Sequence, residues 1–170
     1  QSMGSTKMRL SSVELSSMAK DNFRYRTQKI LQILLVVYVG LTLVETVLLR
    51  MAGMSWFEAV CNSFSTIATG GFCTRNASIA AYGSLWIEMI VVFFMAVSGL
   101  HFGLIFATLT GKSNNIFRSE ISRYYVLSLL FGGLIVSVSL WASDMYPTFA
   151  SSMRYGFFQV VSVSSTTGFA

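Results

Sequence analysis

Two short motifs of the form Thr-x-Gly-Phe stand 97 residues apart in this sequence. They are Thr69-Gly70-Gly71-Phe72 and Thr166-Thr167-Gly168-Phe169. Glycine lets a carbonyl group turn through backbone dihedral angles that other residues avoid. A ring of backbone carbonyls can replace the hydration shell of a cation. The backbone of these eight residues is therefore predicted to bind a dehydrated cation through its carbonyl oxygens, without side-chain ligands.

A short, moderately apolar segment precedes each motif. These segments, residues 55–66 and 149–162, are too short to cross a bilayer, and apolar pieces of this length are more often re-entrant or buried helices. The C-terminal end of such a helix carries a partial negative charge that favours a cation. Irregular backbone at membrane depth is tolerated where it lines a water-filled path. We therefore predict two pore helices, each followed by a filter loop, at 68–73 and 165–169.

Three longer apolar runs are predicted to be membrane-spanning helices, at residues 30–49, 85–109 and 124–141. At about 1.5 Å per residue, twenty helical residues span a hydrocarbon core of about 30 Å. The composition agrees, because only 11% of the residues are charged, against about 25% in soluble domains. The sequence therefore predicts an all-α membrane protein.

The offset of 97 residues also relates the predicted helices to one another. When the sequence is aligned with itself at this offset, Arg26 matches Arg123 and the first span matches the third. Each unit is expected to contain a span, a re-entrant helix, a loop and a second span, and such units stack around a common axis. We predict a complete unit at 30–109 and a partial unit at 124–170.

The chain ends are interpreted in the same scheme. A basic segment, 1–29, precedes the complete unit, and a loop, 110–123, joins it to the partial one. Because the sequence begins with Gln1 and stops just after the second motif, we expect it to be a piece of a longer polypeptide.

The topology is predicted from the lysines and arginines. Nine of the twelve lie before the first span or between the second and third, and the other three are Arg50, Arg75 and Arg154. Loops rich in Lys and Arg remain in the cytoplasm. We therefore expect the N-terminus and the 110–123 loop to be cytoplasmic, with both pore helices entering from outside.

Several polar residues in the apolar segments are candidates for a supporting role. Glu58, Asn62 and Thr66 recur at four-residue steps, which places them on one face of the first pore helix. We predict that they support the filter rather than bind the ion. Glu45 and Glu88 are predicted to lie near the outer ends of their spans and to reach the interface, where a carboxylate needs no function.

The residue types give no support for an enzyme. The sequence has one histidine and two cysteines, and no nucleophile–base–orienter set or metal-ligand spacing is visible. We predict no catalytic residue, no cofactor and no nucleic-acid partner.

The motifs resemble those of known ion-conducting proteins. Thr-x-Gly-Phe is similar to the Thr-Val-Gly-Tyr core of potassium-channel filters. Residues 56–60, 64–72 and 76–79 resemble the second pore unit of Trk-type potassium uptake proteins, within the Trk/Ktr/HKT cation transporter superfamily. Residues 157–162 and 166–169 resemble the third pore unit of that family.

This resemblance implies four units in one polypeptide around a pseudo-fourfold pore. The transported ion would be K+, bound by the carbonyls of the eight motif residues and driven inward by the membrane potential. The implied partners are the lipid bilayer, the remaining pore units, a cytoplasmic nucleotide-binding regulatory subunit and a second copy in a homodimer. The implied location is the bacterial inner membrane, with several spans.

Two alternatives remain open. One is a sodium-permeable or K+/Na+-coupled transporter of the same family, in which the resemblance links serine at a filter glycine position with sodium permeation. The other is a membrane-embedded scaffold or binding protein that does not conduct.

Overall fold

The computed structural model describes residues 28–100, 105, 108 and 119–170, and within them the regular structure is helical, with no strand. The helices are α1 (Gln28–Met51), α2 (Trp56–Ile67), α3 (Leu85–Ser98), α4 (Glu120–Ala142) and α5 (Phe149–Ser164), with a 3₁₀ turn at Ser78–Tyr82. The chain divides into two compact units, Gln1–Val36 and Val37–Ala170. The packing described below lies within the second unit.

Two helices, α1 and α4, have the length and composition to cross a membrane. They contain 24 and 23 residues, and an 18-residue stretch within each has a mean hydropathy of 2.2 and 2.0, respectively. At 1.5 Å per residue each helix is about 35 Å long. Only about a fifth of each apolar stretch is buried inside the protein. Helices that expose this much apolar surface are suited to a lipid environment.

The helix α3 is apolar but shorter over the described residues. It begins at Leu85, as expected for the second span, and its C-cap is Gly99. Of the remainder of the expected span, to residue 109, the structure describes Leu100, Ile105 and Thr108. The basic segment up to residue 27 and residues 109–118 lie outside the described residues.

The two short helices begin at side-chain caps. Ser55 accepts a hydrogen bond from the Glu58 N–H, and the Glu58 carboxylate accepts one from the Ser55 N–H, at 3.3 and 3.2 Å. This capping box satisfies two N–H groups that the helix itself cannot pair, so α2 begins at Trp56. At the start of α5, Thr148 Oγ1 accepts a hydrogen bond from the Ser151 N–H at 3.3 Å.

The hydrophobic core includes α3, which packs against both α2 and α5. The buried core residues come from both halves of the second unit, residues 37–100 and 119–170. They are Leu49, Met54, Ala59, Ile79, Ile87, Val91, Met95, Leu129, Phe158, Val161 and Phe169. The helices α4 and α5 approach closely at Gly156, where an added Cβ would lie 2.7 Å from Ser137 Oγ. This packing places the segment after α5 beside the segment after α2.

Candidate cation-binding loops

The two candidate loops begin with the same backbone hydrogen bonds. Each short helix is followed by a residue with right-handed helical dihedral angles, Ala68 after α2 and Ser165 after α5. The bonds are Ala68 N–Phe64 O, Thr69 N–Thr66 O and Gly70 N–Ser65 O (3.0, 3.0 and 2.7 Å), and Ser165 N–Val161 O, Thr166 N–Val163 O and Thr167 N–Ser162 O (2.9, 3.0 and 3.0 Å). Every atom of the first set has its counterpart 97 positions later. The loop starts are therefore structural copies.

Positive φ angles recur at the same offset. Their values are 51° at Thr69 and 69° at Gly71 in the first loop, and 61° at Thr166 and 80° at Gly168 in the second. For threonine this left-handed region is sparsely populated and costs about 1–3 kcal/mol, and such strain clusters at functional sites. The repeated strain indicates that both loops are held in one specific backbone shape.

Most carbonyl groups of the two motifs have no hydrogen-bond donor. Within residues 28–100 and 119–170, no group donates to seven of the eight carbonyls, which are those of Thr69, Gly70, Gly71, Phe72, Thr166, Thr167 and Gly168. The eighth, that of Phe169, accepts from Ser162 Oγ at 2.7 Å. Gly70, Phe72, Thr166 and Gly168 are exposed, so their carbonyls are accessible. This run of oxygens without a donor in the described residues is able to coordinate a cation or water.

The loops lie against each other at Gly71. A Cβ built on Gly71 would overlap the carbonyl oxygen of Thr167, and it would lie 3.3 Å from the carbonyl carbon of Gly168. Gly71 also has a positive φ, so this position requires glycine for two independent reasons. Gly70 requires it for neither, because its added Cβ would be 3.6 Å from the nearest atoms.

The side chains around the two loops differ. Phe169 is 1% exposed, whereas its counterpart Phe72 is 83% exposed. Ser162 donates its hydroxyl to the Phe169 carbonyl, whereas the hydroxyl of its counterpart Ser65 is buried without a partner among the described residues. An open groove lined by Tyr38, Phe64 and other residues lies beside Phe72.

The predicted supporting residues form a chain of contacts behind the first loop. Thr66 Oγ1 donates to the Asn62 carbonyl at 2.8 Å, and Asn62 Nδ2 donates to Tyr82 Oη at 3.2 Å. Both Asn62 and Thr66 are fully buried. Sequence reasoning missed Tyr82, since its position beside Asn62 depends on the 3₁₀ turn that returns the chain to α2.

Glu58 lies in the first turn of the same helix. Arg75 Nε donates to its carboxylate at 2.9 Å, and Ser55 Oγ donates to it at 2.9 Å. The hydrogen bond from Arg75, followed by those from Ser55, lowers the pKa of Glu58 to about 2. Glu58 therefore caps α2 and fixes the segment that follows the loop.

The prediction that Glu45 reaches the interface is wrong. Its side chain is fully buried, and neither carboxyl oxygen has a hydrogen-bond partner among the described residues. The reason is helical phase: Thr42, Glu45, Thr46 and Leu49 share one face of α1, and all four are buried. The position of Glu45 near the end of the span suggested that it reaches the interface. It lies instead on the face of α1 that packs against the rest of the protein.

Glu88 is also buried, with 8% of the residue exposed. It forms an ion pair with Arg154 of α5, with two hydrogen bonds of 2.6 Å. Sequence reasoning missed this partner, because no spacing rule connects residues 66 positions apart.

The described residues contain no group of three or more His, Cys, Asp or Glu side chains that could hold a metal ion. Cys61 and Cys73 are free and partly exposed.

The apolar spanning helices, the short capped helices and the paired loops define the class: an α-helical membrane protein. The family model of TrkH, described as a cation transport protein, matches residues 1–138. The chain therefore belongs to the TrkH cation transport family.

Individual relatives agree with this assignment. The chain is 36% identical over 164 residues to the Trk system potassium uptake protein TrkH of Salmonella typhimurium, covering 95% of this chain and 34% of the relative. It is 38% identical over 135 residues to the TrkH of Halomonas elongata, covering 79% of this chain and 28% of the relative. The chain thus spans about a third of the length of these curated relatives.

A solved structure also matches. The crystal structure of the potassium transporter TrkH from Vibrio parahaemolyticus superimposes with a TM-score of 0.76 at 29% identity, covering 81% of this chain and 30% of that one. The resemblance to Trk-type potassium uptake proteins and the all-α membrane fold are confirmed.

Proposed function

We propose that this chain contributes two adjacent segments of a K+ selectivity filter to a larger potassium uptake protein. The observation that carries the proposal is the run of unpaired carbonyls in two neighbouring loops of identical backbone shape. The filter residues are those of the two Thr-x-Gly-Phe motifs, with K+ bound through backbone oxygens. Of these eight residues, Phe169 differs in that its carbonyl accepts a hydrogen bond from Ser162 Oγ. The names of the relatives, which are potassium uptake proteins, support the choice of ion.

The mechanism is passive permeation. The C-terminal ends of α2 and α5 precede the loops, so their partial negative charges favour a cation there. Carbonyl oxygens then take the place of the water that K+ loses. The membrane potential supplies about 2.3 kcal/mol per charge per 100 mV. No side chain exchanges a proton or forms a covalent bond.

The ring is completed by pore units outside this chain. The exposed Phe72 supports this, because its counterpart Phe169 is buried in a core built largely from the preceding unit. We therefore propose the units 30–109 and 124–170, with a further unit against the groove beside Phe72. A nucleotide-binding regulatory subunit and a homodimeric state are proposed on the family resemblance.

The proposed topology places the N-terminus and the 110–123 loop in the cytoplasm of a bacterial cell and both loops towards the outside. The test is labelling of single introduced cysteines by an impermeant reagent, in a background with Cys61 and Cys73 replaced. Ser78→Cys is expected to react from outside, and Ser113→Cys is not. Reversed labelling would refute this orientation.

Function is tested in a bacterium that lacks K+ uptake, by expressing the full-length protein that carries this sequence. We expect growth at low K+ and K+ influx that rises with membrane potential, with K+ preferred over Na+. Equal permeability to Na+ would favour the sodium-permeable alternative. A correctly inserted protein without any cation flux would favour a scaffold.

A further inference from the structure

The Glu88–Arg154 ion pair connects the two halves of the second unit. Glu88 lies in the first turn of α3, and Arg154 lies in α5, the helix that ends at the second loop. Arg154 Nε donates to Glu88 Oε2 and Arg154 Nη2 to Glu88 Oε1, both at 2.6 Å. Such a two-point bond between a guanidinium and a carboxylate fixes orientation as well as distance.

The pair is well shielded from solvent on the Glu88 side. The side chain of Glu88 is 11% exposed and that of Arg154 is 33% exposed. The ion pair between Arg75 and Glu58 is more open, at 45% and 18%, and has a single hydrogen bond. Removing one member of a shielded pair leaves the other charge without compensation, which is far more costly than losing an exposed pair.

Aromatic side chains hold the arginine in place. The Arg154 guanidinium lies 5.5 Å from the centre of the Tyr155 ring. That ring stacks on Tyr146 with the two centroids 4.8 Å apart. Because these rings restrict the arginine, less freedom is lost when it binds Glu88.

Few polar contacts join the two halves. Between residues 37–100 and 119–170, the hydrogen bonds are those of this pair and one from the Ala170 N–H to Ser78 Oγ, at 3.2 Å. The other contacts between the halves are largely apolar, as in the cluster that holds Phe169. Apolar burial is non-directional. The ion pair is therefore the contact best suited to fix the register of α5 on α3.

We propose that Glu88 and Arg154 are positioning residues for the second filter loop, and that their ion pair sets ion selectivity by fixing that loop against Gly71. Ten residues of rigid helix separate Arg154 from the end of α5 at Ser164, which is a lever of about 15 Å. A shift of the helix at Arg154 is thus transmitted to Thr166, Thr167 and Gly168. This inference rests on the proposed function, because it takes the two loops as parts of one filter.

The first test measures position without transport. In the full-length protein with Cys61 and Cys73 replaced, Ser78→Cys and Ala170→Cys introduce thiols at two residues that are in contact. We expect mild oxidation to cross-link them several-fold more slowly in Glu88→Gln than in the parent. The matched control is Glu120→Gln, which removes an exposed carboxylate from the first turn of another apolar helix. It should leave the rate unchanged.

The second test measures selectivity. We expect Glu88→Gln and Arg154→Lys to raise the Na+/K+ permeability ratio about tenfold, the change produced by a shift of ~1.4 kcal/mol in relative ion affinity. Arg154→Lys keeps the charge but loses the two-point geometry. Exchange of the charges in Glu88→Arg/Arg154→Glu should restore part of the cross-linking and of the selectivity, which a general loss of stability would not do.

The two tests separate the inference from the proposed function. If the parent protein does not select K+, the proposed function fails, and the cross-linking rates still report whether the pair positions the loop. If Glu88→Gln leaves both cross-linking and selectivity at the parent level, the inference is overturned. Where Glu88→Gln is poorly expressed, Arg154→Lys and the charge exchange decide between the same two outcomes.

Discussion

The two loops share a backbone conformation, but their side chains lie in different environments. Their helix-end hydrogen bonds and their positive φ angles coincide at an offset of 97 residues. Yet Phe169 is buried in the core and Phe72 is exposed. The motif and the helix before it thus determine the backbone, whereas the side-chain environment is determined by the unit that lies beside each loop.

The comparison also shows how one unit can stabilise the next. Phe169 belongs to the same buried cluster as Ile79, Ile87 and Val91, which lie in the proposed preceding unit, 30–109. By the same geometry, Phe72 extends towards a unit that would precede α1. Substitutions at matched positions in the two loops can separate the effect of the motif from that of the neighbouring unit.

The largest difference in unfolding free energy is expected between substitutions of Phe169 and Phe72. Phe169→Ala removes a fully buried aromatic side chain, which typically costs about 3–5 kcal/mol of unfolding free energy. Phe72→Ala in the same 170-residue chain should cost less than about 0.5 kcal/mol, because the side chain is exposed. Denaturant unfolding of the two variants in detergent measures both values.

The same two substitutions test the proposed unit in the groove beside Phe72. In the full-length protein, the cost of Phe72→Ala should approach that of Phe169→Ala, since a preceding unit would bury Phe72. A cost that stays near zero there would contradict a unit in the groove beside it.

The glycines give the next largest effect. Gly71→Ala should destabilise the loop by more than about 1–3 kcal/mol, because strain from the positive φ is added to overlap with the Thr167 carbonyl. Gly168→Ala should cost only the strain, since no described atom lies within 4 Å of its added Cβ. Gly70→Ala meets neither penalty. We expect the Na+/K+ permeability ratio to rise in the order Gly70→Ala, Gly168→Ala, Gly71→Ala.

Gly71→Ser and Gly70→Ser extend this series with a larger side chain. We expect Gly71→Ser to lose K+ selectivity and Gly70→Ser to retain more of it, with both helices intact by circular dichroism. Unchanged selectivity in a well-expressed Gly71→Ser protein would mean that the filter lies elsewhere.

A smaller difference in stability is expected between substitutions of Ser162 and Ser65, the serines near the ends of the two short helices. Ser162→Ala removes the donor to the Phe169 carbonyl and should cost about 1–3 kcal/mol, because it leaves a buried acceptor unpaired. Ser65→Ala removes a buried hydroxyl that has no partner in the described chain, so it should be neutral or slightly stabilising. Thermal unfolding of both variants provides the measurement. Equal costs would show that Ser65 has a partner outside the described residues.

The smallest effect is expected from pH at Glu58. Its pKa of about 2 lies below the ordinary value of 4.5. A lowered pKa stabilises the fold above the ordinary value, and the stabilisation is lost as the pH falls towards 2. The stability difference between the parent and Glu58→Gln should therefore be constant from pH 8 to 5 and shrink below about 4.5. A change between pH 6 and 8 would assign the titration to another group.

The sequence predicts the helices well because their signals are local. Apolar length predicts α1 and α4, and the short apolar segment 55–66 predicts the start of α2 to within one residue. The repeated motif likewise predicts two loops of the same shape. Topology, unit boundaries and the ion itself remain predictions.

What the sequence does not predict depends on helical phase and on distant partners. Glu45 is buried because the face it shares with Thr42 and Leu49 packs inward, and a polar face on an apolar helix is a signal that could have revealed this. The Glu88–Arg154 pair, in contrast, arises only when α3 and α5 are packed together. Contacts of this kind leave no trace in local composition.

The shortness of α2 has a consequence for the orientation of everything after it. Its 12 residues give a helix of about 18 Å, well below the hydrocarbon thickness of about 30 Å. A segment that enters and returns on one face adds nothing to the number of bilayer crossings. An insertion of about eight apolar residues in α2 would make it long enough to cross. Under the proposed topology, each later helix would then be inserted in the opposite orientation. The length of α2 would therefore determine whether the number of bilayer crossings before those helices is odd or even.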